Sequence, residues 1–292
     1  MNVKRSGLYW FIVLLRAIAL CLPLSAGLKL GGAVGLAAYF LVPRYKRIAF
    51  KNLAQSFPGK PHKEIRSLTK QVFINQGKNL FELLNFHRLN RENITKIVEF
   101  RGIENFKKAF SYGKGVLIFS AHLGNWELIG AGLSLIGFPI NGITRKVYIE
   151  QLERLLWRLR ESVGMKSISR GETDSAKGIL RVLKNNEALA VLIDQNTKAI
   201  PGVYVNFFGR RAYTPSGLAA LAIRTGASVA PVFMYRREDN KCVVEADEPI
   251  KPEMTGDDEK DIAVNTQRFT DIIEEKIRRH PEQWVWFHER WD

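Results

Sequence analysis

The sequence predicts an α/β fold: a mixed, largely parallel central sheet flanked by helices, with an N-terminal membrane-associating helical segment. Two observations carry this. From about residue 110 onward, short runs rich in Val and Ile alternate with longer amphipathic segments, the pattern of parallel strands joined by crossover helices. Before that point the chain opens on two apolar, acid-free stretches. The predicted strands are 115–120 (GVLIFS), 139–144 (PINGIT), 188–194 (ALAVLID) and 229–235 (VAPVFMY), with 241–246 as a further one. The predicted helices are 126–136, 149–163, 174–183, 216–225 and a long charged helix over 260–279, stopped by Pro281.

The first 63 residues hold ten Lys and Arg and no carboxylate; Glu64 is the first. Within them, 8–24 (LYWFIVLLRAIALCLPL) is apolar apart from Arg16, and 30–42 (LGGAVGLAAYFLV) follows Lys29. A spanning helix needs about 20 apolar residues, so the first run is marginal in length and carries a charge near its middle. A signal peptide competes, but Leu24-Ser25-Ala26 is a weak cleavage site and another apolar run follows at once. A pair of core helices is the plainer alternative. The reading preferred here is a membrane anchor over residues 1–45, spanning once or lying in the interface, followed by an α/β catalytic domain over 46–292. Arg44, Lys46, Arg47 and Lys51 then sit against anionic lipid.

The whole chain has 292 residues, 44 Lys and Arg against 29 Asp and Glu, and a formal charge of +15. Forty-six per cent hydrophobic and twenty-five per cent charged is globular composition, and the basic excess calls for an anionic partner. Two cysteines, Cys21 and Cys242, cannot make a disulfide scaffold, and no Cys-x-x-Cys pair is present to hold zinc or an iron–sulfur cluster. A nucleic-acid-binding protein would explain the charge, yet no helix-turn-helix, zinc or RNA-recognition signature appears, and the apolar N-terminus would be left over. The nucleophile elbow, the phosphate-binding loop, the dinucleotide fingerprint and the zinc-protease helix motif are absent as well.

Of the five histidines, His122 stands apart. It follows the strand GVLIFSA directly, in Ser120-Ala121-His122-Leu123-Gly124-Asn125-Trp126-Glu127, and strand C-termini of open α/β sheets border the ligand crevice. Gly124 allows a sharp turn, Asn125 suits a helix N-cap, and Glu127 falls in the first helical turn, where negative charge is favoured. From there its carboxylate can reach back to one imidazole nitrogen, fixing the tautomer and leaving the other nitrogen as a base. The competing structural reading is that His122 merely ends a strand and Glu127 merely caps a helix. With no serine or cysteine nucleophile beside the pair, the attacking group comes from the substrate, most simply as a hydroxyl. Asp194 ends a buried strand and is expected to face the same crevice, or else to cap a turn. A non-catalytic basic membrane-binding protein remains an alternative, but it has no need of this constellation.

The His-x4-Glu spacing between a strand and a helix resembles the first motif of the glycerolipid and lysophospholipid acyltransferases. The fuller sequence resembles the lipid A biosynthesis (late) acyltransferase branch over nearly its whole length. The resemblance rests on residues 47–58 (RIAFKNLAQSFP), the 122–127 block, Arg145 after Gly142-Ile143-Thr144, Arg158-Leu159-Arg160 and Ser169-Arg170. It continues through Asp194-Gln195, Val205-Asn206-Phe207-Phe208-Gly209, 221–232 (LAIRTGASVAPV) and 281–288 (PEQWVWFH). Lys146 in place of the proline common in the family, and Asp194-Gln195-Asn196 in place of Asp-x-Asp, leave the acyl chain and the acceptor open.

The resemblance implies transfer of a fatty acyl group from an acyl carrier protein or coenzyme A thioester to a hydroxyl of a membrane glycolipid, most simply a lipid A precursor in lipopolysaccharide biosynthesis. Glycosylated phosphatidylinositol or a lysophospholipid is the alternative acceptor. It implies His122 as base and Glu127 as its orienter, with neither metal nor other cofactor. It places the protein at the inner (cytoplasmic) membrane, with its catalytic domain facing the cytoplasm. Arg145, Arg158, Arg160 and Arg170 are candidates for acceptor phosphates, since guanidinium offers a planar fork of donors, although for Arg158 and Arg160, in a helix with Glu153 and Glu161, a solvated, ion-paired face is the preferred reading. Arg145 and the backbone amides near Asn125 are candidate oxyanion donors. Asn125 and Asp194 complete the expected substrate-binding set with Phe208, whose pair with Phe207 either lines an acyl groove or belongs to the core.

Overall fold

The computed structural model describes residues 3–171 and 174–291. Four helices come first: α1 (Val3–Cys21), α2 (Leu24–Leu41), α3 (Pro43–Ser56) and α4 (His62–Leu84). The α/β body follows as α5 (Ile94–Ile97), β1 (Val98–Arg101), α6 (Ile103–Ser111), β2 (Val116–Ser120), α7 (Trp126–Leu135), β3 (Ile140–Thr144), α8 (Glu150–Glu161), β4 (Lys166–Ser169), α9 (Ser175–Lys184) and β5 (Ala188–Leu192). It closes with β6 (Gly202–Phe207), β7 (Arg210–Pro215), α10 (Gly217–Thr225), β8 (Ser228–Arg236), β9 (Cys242–Ala246) and α11 (Asp258–Arg279).

Seven strands form one sheet in the order β1-β9-β8-β2-β5-β3-β4, and β6 with β7 make a separate antiparallel hairpin. Every pairing in the large sheet is parallel except β8 with β9. All five residues of β2 are buried, which is why that strand reads as an unbroken apolar run. Alternate side chains feed two cores. Leu117, Phe119 and Leu189 face α10 and α11, whereas Val116, Ile118 and Ala188 face α6 and α7. Pro231 lies in the interior strand β8. Phe119↔Pro231 is the last parallel pair with β2 and Val232↔Ala246 begins the antiparallel run with β9, so the missing N–H falls where the strand changes partner.

Among the described residues one helix, Leu24–Leu41, is long and apolar enough to cross a membrane, and Ser6–Cys21 is a shorter apolar helix. Helix α2 is not free. Gly31 and Gly35 of α2 meet Gly77 and Phe73 of α4 so closely that a Cβ on Gly31, Gly35 or Gly77 would collide with the facing backbone. The exposed large apolar side chains gather instead on α1 (Leu8, Trp10, Phe11, Leu14) and at the end of α2 (Phe40, Leu41).

Candidate active site

The site is set by strand register. β2 and β5 pair in parallel from Val116↔Ala188 to Ser120↔Leu192. Two residues beyond both strand ends, the same offset brings His122 opposite Asp194, whose Oδ1 lies 2.8 Å from His122 Nδ1. Asp194 Oδ2 accepts from the His122 backbone N–H (2.9 Å) and from Trp284 Nε1 (2.6 Å). A carboxylate can only accept, so Nδ1 carries the proton and Nε2 is left as the basic nitrogen. Burial by itself would raise the Asp194 carboxyl, but the His122 charge and the donated hydrogen bonds outweigh it and hold the group at about 2. The imidazole is 21 % exposed above a fully buried carboxylate. Trp126 meets it edge-on, with ring centroids 4.9 Å apart, and His288 stands at 6.3 Å. Burial, then the His122 charge, depress the His288 pKa below its usual range.

Glu127 is not the partner of this imidazole. Both its oxygens are taken by Arg160 of α8, at 2.5 Å from Nη2 and 2.9 Å from Nε. The pair is largely buried, with side chains 14 % and 11 % exposed, so Arg160 belongs to the interior of the site rather than to a solvated face. The expectation of a His122–Glu127 contact failed because a neighbouring strand end offers a carboxylate at hydrogen-bonding distance, a relationship invisible in a local motif.

Three further expectations are corrected. Asp194 is 2 % exposed and its carboxylate is engaged by His122 and Trp284, so it faces protein rather than the crevice. Asn125 is 2 % exposed and makes no side-chain cap for α7; its Nδ2 donates to Glu82 of α4 at 2.8 Å, so it faces protein, not substrate. Its backbone N–H points at Met234 Sδ (3.0 Å) and that of Gly124 donates to the Gln283 carbonyl (3.1 Å), which removes these amides as oxyanion donors. Phe208 is 5 % exposed and packs among Phe57, Phe207, Trp286 and Trp291. It is core, not groove.

Two cavities on opposite faces of the sheet meet at His122. The larger, about 500 Å³, runs under α9 and α10 and is walled by Ile143, Ile179, Val191, Ile193 and Leu218. The smaller, about 190 Å³, lies under α7 and α8 and holds Glu127, Arg160 and Glu153 beside Ile129 and Met165. Thr144 and Arg145, at the end of β3, border both. Arg170 follows the Thr144↔Ser169 pair of β3 and β4, donates its backbone N–H to the Thr144 carbonyl (2.8 Å), and lines the larger cavity with Arg224. Arg224, Thr144 and Trp284 were not singled out by sequence reasoning; only the Trp-rich tail carried a signal for the last. Among the described residues, Ser120 Oγ and Thr144 Oγ1 find no hydrogen-bond partner and are buried in the cavity walls. Among the described residues no group of three or more His, Cys, Asp or Glu gathers to hold a metal ion.

A paired imidazole and carboxylate where two cavities meet, each with apolar walls and charged side chains, suits proton abstraction from a hydroxyl beside an acyl chain. The bacterial lipid A biosynthesis acyltransferase family model matches residues 1–292. Lipid A biosynthesis palmitoleoyltransferase of Escherichia coli (strain K12) is 28% identical over 287 residues, 97% of this chain and 88% of that one. The lauroyltransferase of the same organism is 25% identical over 289 residues, 97% of this chain and 89% of the relative. Phosphatidylinositol mannoside acyltransferase of Mycolicibacterium smegmatis is 26% identical over 191 residues, 65% and 60% of the two chains. With its whole length matched, this chain belongs to the bacterial lipid A biosynthesis acyltransferases.

Proposed function

We propose that the protein moves a fatty acyl group from an acyl carrier protein or coenzyme A thioester directly onto a hydroxyl of a lipid A precursor. The observation that carries this reading is the His122–Asp194 pair at 2.8 Å, placed where two cavities converge. Direct transfer needs donor and acceptor together, and two cavities sharing one base provide for both. A methylene takes up about the room of one water molecule, ~30 Å³, so the larger, apolar cavity has the volume for a long acyl chain. The smaller cavity, with its carboxylates and guanidinium, suits sugar hydroxyls.

In this mechanism Nε2 of His122 takes the proton of the acceptor hydroxyl as its oxygen bonds to the thioester carbonyl carbon. The carbonyl electron pair moves onto oxygen, then returns to expel the thiolate, which takes the proton back from Nε2. Asp194 stabilises the imidazolium between these steps. Thr144 Oγ1 and the Arg145 guanidinium are the donors offered to the transient oxyanion. Arg145, Arg170 and Arg224 supply positive charge for phosphates of the glycolipid or the carrier.

Helices α1 and α2 are read as the membrane contact, at the inner membrane with the α/β body in the cytoplasm. The apolar face of α1 and the tip of α2 enter the interface, and Arg44, Lys46, Arg47 and Lys51 of α3 meet anionic headgroups. The test is thiol release from acyl carrier protein thioester by the full chain, dependent on added lipid A precursor, with His122→Ala alongside. Acceptor-dependent release that vanishes in the variant is expected; near-normal turnover by His122→Ala would refute the mechanism. The mycobacterial relative makes a phosphatidylinositol mannoside the acceptor to assay in parallel.

A further inference from the structure

Beneath the site lies a buried ion pair that touches neither cavity at His122. Glu82 of α4 and Arg236 of β8 are 4 % and 6 % exposed, joined through both carboxylate oxygens at 2.6 Å. Desolvation makes such a pair costly, and an apolar filling of the same shape is often as stable. What the pair holds in place is therefore the question. Its carboxylate accepts a further bond from Asn125 Nδ2 at 2.8 Å. Asn79, one turn earlier on α4, donates to the Gly124 carbonyl (2.7 Å) and accepts from Arg236 Nη2 (3.1 Å). Gln283 bonds both backbone groups of Arg236, and its own carbonyl accepts the Gly124 N–H (3.1 Å). Gly124 is held at φ +57, and a Cβ there would collide with the Met234 carbonyl. The turn that carries His122 is thus gripped from below on Gly124 N, Gly124 O and the Asn125 side chain.

The geometry points to Glu82, with Arg236 behind it, as a positioning residue for acyl transfer that fixes the aim of His122 by holding Asn125. This rests on the acyl-transfer reading above. His122 is tied on its other side by Asp194 and by the Val285 N–H to its carbonyl (3.1 Å), so the imidazole is suspended between two anchors. Loosening one shifts the base relative to the bound hydroxyl, and small misplacements of a reacting group cost turnover rather than affinity.

The test uses the full-length protein. Asn125→Leu removes the link while leaving Glu82 and Arg236 paired. It is expected to lower kcat about ten- to a hundred-fold with KM for donor and acceptor unchanged. Amide hydrogen exchange should quicken in residues 122–126 and stay unchanged in 188–194. Glu82→Gln should lower kcat likewise. The double variant Glu82→Gln/Asn125→Asp keeps the net charge of the cluster and reverses donor and acceptor between 82 and 125; it should recover most of kcat. Unaltered exchange over 122–126 or unaltered kcat in folded Asn125→Leu overturns the proposal, as does a double variant no better than Glu82→Gln. Should Asn125→Leu not fold, the rescue alone decides. Should the wild type transfer no acyl group, the acyl-transfer reading falls by itself and the exchange result judges the clamp.

Discussion

His122 and Asp194 are 72 positions apart in the chain, the same offset that separates every paired residue of β2 and β5 from Val116↔Ala188 onward. The dyad is the continuation of a parallel ladder past the ends of its strands. Its geometry is therefore inherited from the most buried part of the sheet, where register is strongly specified.

Replacing the two nearby carboxylates should have different consequences. Asp194→Asn cannot hold the Nδ1–H tautomer, and a drop in kcat on the order of 10⁴-fold with little change in KM is expected. Glu127→Gln leaves Arg160 buried without its charge partner, which costs about 3–5 kcal/mol of stability. Steady-state kinetics and thermal unfolding of both variants check this. A folded Asp194→Asn enzyme with wild-type turnover would contradict the assignment.

The dyad also predicts a pH dependence of stability. Asp194 titrates at about 2 in the fold against 3.8 in a model peptide, a depressed value. Its ionised form therefore stabilises the native state above the unfolded pKa, and that contribution is lost as pH falls through the folded one. The loss amounts to about 2 kcal/mol between roughly pH 4 and pH 2. Unfolding midpoints of wild type and Asp194→Asn should converge as pH falls across this window. A constant difference from pH 5 down to pH 2 would rule the linkage out.

Thr144 borders both cavities with an unpartnered hydroxyl. Thr144→Val keeps the shape and removes the donor. If the hydroxyl faces the oxyanion, kcat should fall about 10²–10³-fold while the protein stays as stable as wild type or gains slightly, since a buried orphan hydroxyl is lost. Unchanged kcat would leave Arg145 as the donor.

The α2–α4 contact makes a structural prediction. Gly77→Ala pushes a methyl group into the Gly31 carbonyl, and overpacking of this kind costs about 1–3 kcal/mol. Because α4 also carries Asn79 and Glu82, the variant should lose activity together with thermal stability. Retention of both would mean that α2 can separate from α4 without consequence.

Local pattern made much of this fold readable. The buried strands β2, β3, β5 and β8 announce themselves as short Val- and Ile-rich runs, and α11 as a charged helix ended by Pro281, because burial and periodicity act over a few neighbouring residues. β1 (VEFR) and β4 (KSIS) escaped for the converse reason: they are four-residue outer strands, part exposed, with no apolar run. In the site, the position of His122 at a strand end was legible and the company it keeps was not. Glu127 is five residues away in sequence and bonds Arg160; Phe208 carries the mark of a groove and is locked in an aromatic core.

What the sequence determined by itself was the class of fold, the basic and apolar N-terminus, and the one histidine at the mouth of a parallel sheet, all products of short-range pattern. Which carboxylate meets that histidine, which hydroxyls are left unpartnered in the cavity walls, and why a charged pair is buried beneath them were decided only when β5 docked beside β2 and α4 packed under the turn. Hydrogen bonds and ion pairs act over about 3 Å of space, and the chain brings those atoms together from positions 43 to 154 residues apart.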